Sequence, residues 1–113
     1  MILSIFTQEA FFTSLNLLYV NFMKIKLEKV IHSLGSEKDV QKFLKDLLSP
    51  KEYESLRERW KVVQLLEKKM SYREISEKLG VSTATVTRVA RCLSNPDSGY
   101  KMALEVLKVQ KIK

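Results

Sequence analysis

From residue 24 onward, apolar positions recur along the chain at helical spacing. Val40, Phe43, Leu44, Leu47 and Leu48 fall at i, i+3, i+4, i+7 and i+8, the stripe of an amphipathic helix. A shorter segment from about Leu27 to Ser33 precedes it and is stopped by Gly35. Ser49-Pro50-Lys51-Glu52 then supplies a capping hydroxyl, a proline at the first helical position and a glutamate at the third. That capping box opens a long helix to about Lys69. Tyr53, Leu56, Trp60, Val63 and Leu66 line one of its faces, and Val62 and Leu65 widen it. A helix apolar over so broad an arc is central, or is shared with a second subunit.

The same start signal returns at Ser71-Tyr72-Arg73-Glu74, and the helix it opens runs to Leu79 and ends at Gly80. Ser82 caps a further helix over about Thr83 to Leu93. Ser94 through Gly99 reads as a turn, and a last helix carries Met102, Ala103, Leu104, Val106 and Leu107, apolar on more than one side. Only 3 glycines and 2 prolines interrupt 113 residues. The expectation is one all-α domain of five or six helices over residues 24–113.

Residues 1–23 form an apolar N-terminal extension whose one charge is Glu9. They lack the basic flank and small-residue cleavage site of a signal peptide. Gln8, Glu9, Asn16 and Asn21 break the apolar run, which argues against a membrane span. Met23, followed by Lys24-Ile25-Lys26, reads as a natural start. The extension is then either a mis-called start or an accessory helix covering apolar surface of this chain or of a partner.

The span 71–93 fits a helix-turn-helix. Ile75, Leu79, Val81, Val86 and Val89 are the apolar positions where two such helices pack, and Ser76 is the small residue at their crossing. Gly80 is the residue that tolerates a left-handed turn. The remaining positions of the second helix should face outward. Ser82, Thr83, Ala84, Thr85, Thr87, Arg88 and Arg91 carry hydroxyl, methyl and guanidinium groups suited to a major groove. Tyr72, Arg73 and Lys78 on the first helix suit the phosphate backbone, and Lys68 and Lys69 just before it are further candidates for the same role.

Charge supports a polyanionic partner. Residues 1–49 hold six basic and five acidic side chains, whereas residues 50–113 hold fourteen and eight. From Arg59 to Arg91 there are eight basic and three acidic residues, and no acidic residue lies between Gly80 and Asn95. One cysteine, Cys92, and one histidine, His32, are too few for a zinc site of four ligands, so no metal and no cofactor are expected. Cys92 reads as a half-buried packing residue and His32 as an ordinary surface or interfacial one; a reducing cytoplasm is the simplest setting. No paired carboxylates, phosphate-binding glycine loop or nucleophile–base pair suggests an enzyme.

Leu48-Ser49-Pro50 through Leu56, Ser71-Tyr72-Arg73-Glu74 and Ser82 through Arg88 resemble the Trp repressor superfamily. Arg88 through Leu93 and Tyr100 through Leu104 are closer still to its YerC/YecD branch. The resemblance covers about residues 27–107. It implies an all-α, multi-helix, intertwined homodimer presenting two helix-turn-helix heads to double-stranded DNA. It also implies a tryptophan pocket, whose arginines correspond to Arg59 and Arg88 and whose threonine corresponds to Ser49. The pocket's glycine is replaced by Val89 and its serine by Cys92, which blocks the ligand's path and removes a hydroxyl. The resulting expectation is a sequence-specific transcriptional regulator that does not respond to tryptophan and whose effector, if any, is unknown. The alternatives are a tryptophan-sensing repressor and a helical protein-interaction module without specific DNA binding.

Overall fold

The computed structural model describes residues 2–111, with side chains at 10–19 and 23–111. Met1, residues 112–113 and the side chains of Gln8, Glu9 and Asn21 lie outside the described residues. The order is α1 (Ile2–Met23), α2 (Leu27–Ser33), α3 (Glu37–Leu47), α4 (Pro50–Glu67), α5 (Tyr72–Leu79), α6 (Thr83–Ser94) and α7 (Gly99–Lys111). No strand occurs among the described residues, as the all-α expectation requires. Two compact units divide between Leu44 and Lys45.

The first unit has no fully buried side chain among its described residues. Within α1, Phe11, Phe12, Leu17, Leu18 and Tyr19 are all exposed, and the Phe11 and Phe12 rings meet edge to face at 6.3 Å. No helix among the described residues is long and apolar enough to cross a membrane. The stripe read on α3 is present as a half-buried row of Val40, Phe43 and Leu44, while Leu47 is exposed. Ser36 begins that helix by accepting from the Asp39 backbone N–H at 3.2 Å.

The second unit carries the core. Val62 and Val63 of α4, Ile75 of α5, Val81, and Val86 and Val89 of α6 form one buried cluster. Trp60, Leu65, Leu66, Met70, Leu79, Leu93, Tyr100 and Leu104 pack around it. Five of its six members are valines, whose single preferred helical rotamer brings three helices together with few alternative packings. Across α4 and α7, Lys108 Nζ donates to Glu67 at 2.8 Å, an exposed pair that adds little stability.

α4 starts where the capping box places it. The Ser49 N–H donates to the Glu52 carboxylate at 2.7 Å, and the Glu52 N–H donates to Ser49 Oγ at 3.3 Å. The helix ends at Glu67, two residues short of the expected Lys69. The chain leaves it through a Schellman turn. Met70 N–H donates to Leu65 O at 3.1 Å and Lys69 N–H to Leu66 O at 2.9 Å, with Lys69 left-handed at φ 62°. At α5 only the forward half of the expected capping box is made, Glu74 N–H to Ser71 Oγ at 3.2 Å. Gly99, read as part of a turn, is instead the first residue of α7, whose cap is the buried Ser98 accepting from Lys101 N–H at 3.3 Å.

Two outcomes follow. Val63→Ala removes two buried methyls, at ~0.8 kcal/mol each plus a cavity penalty, so urea unfolding should show a loss of about 2 kcal/mol with an unchanged m-value. The hydrogen bond from the Ser49 backbone, reinforced by the Ser49 hydroxyl, holds the Glu52 carboxyl below its ordinary value of 4.5. A depressed carboxylate supports the fold fully above that ordinary value, and the support fades as pH falls through the depressed one. Thermal melts between pH 3 and 7 should therefore fall less steeply on the acid side for Glu52→Gln than for the wild type.

Candidate nucleic-acid interface

The pair α5 and α6 is built around its connection. Gly80 closes α5 in the left-handed region, φ 68° and ψ 26°, with its N–H donating to Ser76 O at 2.9 Å. Ser76, expected only as a small crossing residue, also donates its hydroxyl to Val81 O at 2.6 Å and so ties the first helix to the turn. Ser82 caps α6, accepting from Thr85 N–H at 3.1 Å and sharing a 2.9 Å contact with the Thr85 hydroxyl. The first turn of α6 holds no acidic residue.

Packing decides which way α6 faces. Val86 and Val89 are buried and Leu93 is half-buried, three positions on one helical stripe. The opposite side presents Thr83, Ala84, Thr87, Arg88 and Arg91, all exposed. Thr87 Oγ1 donates to Thr83 O at 2.8 Å, which fixes its hydroxyl against the helix and leaves its oxygen lone pairs outward. On α5, Tyr72, Arg73 and Lys78 are exposed. Arg73 Nε meets Glu77 at 3.2 Å, whereas neither Arg88 nor Arg91 has an ion-pair partner among the described residues. The exposed cations of α6 thus stand beside hydroxyls and one methyl on a helix that carries no carboxylate.

The residues carried over as a ligand pocket are only partly brought together. Arg59, Arg88, Val89 and Cys92 border one cleft of about 140 Å³, together with Thr85 and Tyr100. Thr85 is half-buried there and does not stand with the outward row. Ser49 borders a different cavity of about 510 Å³ with Leu48, Lys51, Glu52, Ser55, Leu56 and Arg59. It lies ten residues up α4 from Arg59, or ~15 Å along the axis. Cys92, expected to be a half-buried packing residue, is exposed, because the buried stripe passes through Val89 and Leu93 and leaves position 92 on the flank. Val89 is almost fully buried and belongs to the core, so its branched side chain forms one wall of the cleft. Among the described residues no cluster could hold a metal ion. Sequence reasoning missed Tyr100 as a cleft residue, although its place one residue into α7 follows once Ser98 is recognised as a cap.

A family profile described as Trp repressor protein matches residues 25–108. The chain is 36% identical over 86 residues to a Bacillus subtilis protein named YerC and described as uncharacterized, covering 74% of this chain and 83% of that one. It is 37% identical over 78 residues to the Trp operon repressor homolog of Chlamydia trachomatis serovar L2, covering 65% of this chain and 83% of that one. The crystal structure of a TrpR like protein from Eubacterium eligens superposes with a TM-score of 0.68 at 34% identity, over 78% of this chain and 95% of that one.

The left-handed turn between the two helices gives a direct test. A Cβ at Gly80 would meet nothing within 4 Å, so Gly80→Ala adds no clash and should destabilise by backbone strain alone, about 1 kcal/mol. Gly80→Asn should lose less, since asparagine visits this region more readily. Chemical unfolding of both variants checks the order.

Proposed function

The chain belongs to the Trp repressor family, and from that membership and the shape of its α5–α6 head we propose a sequence-specific regulator of transcription that binds double-stranded DNA as a homodimer without tryptophan. The observation that carries this reading is the division of α6. Its valines are locked in the core, while Thr83, Ala84, Thr87, Arg88 and Arg91 are free on the far side, with no acidic neighbour from Gly80 to Asn95. Placed in a major groove, Arg88 and Arg91 suit guanine edges or nearby phosphates, and the Ala84 and threonine methyls suit thymine. Ser82, exposed at the helix start, would offer its hydroxyl to a phosphate, whereas Thr85 faces the cleft. Tyr72, Arg73 and Lys78 on α5 would then hold the backbone.

The homodimer is supported by apolar surface that one protomer leaves uncovered. Met102, Val106 and Val109 on α7 are more than half exposed, and the α3 stripe has no buried partner in its own unit. Two copies joined there would present two heads about one helical turn, ~34 Å, apart on a pseudo-palindromic site. Independence from tryptophan is supported by Val89, whose branched side chain walls the cleft that Arg59 and Arg88 border.

The test is fluorescence anisotropy on a labelled duplex that the wild-type protein selects from a randomised pool, with excess mixed-sequence DNA present. Arg88→Ala should bind that duplex about tenfold or more weakly, the range expected for one lost guanine contact. Failure of the wild type to select any sequence would instead leave a helical interaction module. Calorimetric titration with L-tryptophan should release no binding heat at micromolar to millimolar concentrations; micromolar affinity would make the protein a tryptophan sensor.

A further inference from the structure

We infer that Lys69 contacts a DNA phosphate at the edge of the footprint, and that its strained backbone is retained because the position needs a cation; this rests on the DNA-binding reading above. Two helices of the head close on a left-handed residue. α5 uses Gly80, for which that conformation is free of strain. α4 uses Lys69, the one non-glycine residue with positive φ among the described residues.

The turn cannot relax around this lysine. The hydrogen bonds from Met70 to Leu65 and from Lys69 to Leu66 fix its geometry, and Leu65 and Met70 are both packed against the core. Glycine or asparagine would occupy the position with less strain, so the backbone alone does not select lysine. The helix dipole does not select it either, because Lys68, the adjacent C-cap residue, already places a cation at the end of α4.

What distinguishes Lys69 is its location. It is exposed, has no ion-pair partner among the described residues, and precedes Tyr72 and Arg73 by three and four residues. Four residues of chain reach at most ~14 Å, so a strand passing Tyr72 and Arg73, with a phosphate every ~3.4 Å along the axis, runs within range of its ammonium. Stability and binding therefore make opposite demands on this residue. A merely tolerated poor cap would show no such opposition.

The experiment compares wild type, Lys69→Gly, Lys69→Asn and Lys69→Arg as full chains, by thermal melting and by anisotropy on the selected duplex from 50 to 200 mM KCl. Lys69→Gly and Lys69→Asn should melt above the wild type yet bind roughly five- to tenfold more weakly near 100 mM. Each should lose about 0.9 from the slope of log affinity against log salt, with base preference unchanged. Lys69→Arg should keep the wild-type slope. Wild-type affinity and slope in the glycine variant, or a melting temperature no higher than the wild type, would overturn the inference while leaving the DNA-binding reading intact. Absence of any salt-dependent duplex binding by the wild type would overturn both.

Discussion

The contact between the paired valines of α4 and those of α6 governs the rest of the second unit. Val62 and Val63 share one cluster with Val86, Val89 and Ile75, and all five side chains are fully or almost fully buried. A helix is a rigid cylinder, so fixing two positions fixes the direction of every other side chain on it. With Val86 and Val89 inward, Thr83, Ala84, Thr87, Arg88 and Arg91 have no direction left but outward. The surface offered to a partner is thus the complement of the core. A change in core volume would turn that surface as surely as it would lower stability.

Two left-handed residues and one side-chain hydrogen bond set the angle between the helices of the head. Lys69 delivers the chain into α5, Gly80 delivers it into α6, and the Ser76 hydroxyl holds the Val81 carbonyl between them. These connections are short and held by specific hydrogen bonds, which restricts how far α6 can pivot against α5. Arg59 and Val89 lie on α4 and α6, and Tyr100 lies on α7, so the small cleft they share sits where three helices converge.

Much of this was legible in the sequence because the signals are chemical and local. Ser49-Pro50, Ser71 and Ser82 mark helix starts with hydroxyls that do accept the expected backbone hydrogen bonds. Gly80 marks the turn because no other residue adopts its conformation so readily. The features that escaped are those in which a residue does something its type does not announce. Lys69 occupies a glycine position, so the sequence pattern carries α4 two residues beyond its end at Glu67. Ser98 is hidden in a run of turn formers, so the start of α7 at Gly99 has the sequence pattern of a loop. The general preference of cysteine points to packing at Cys92, whereas helical phase leaves it exposed. The outward row on α6 was legible from the same phase, except that Thr85 turns toward the cleft.

That no described side chain of the first unit is fully buried bears on dose response. A segment that makes no core of its own has little intrinsic stability, and it gains a core only from what it is joined to. If a second copy is that support, ordering and pairing become one equilibrium, and at low abundance the concentration of competent dimer rises with the square of total protein. Occupancy of a binding site would then change over a narrow range of expression level. A dimerising regulator of this kind would acquire a threshold from mass action alone.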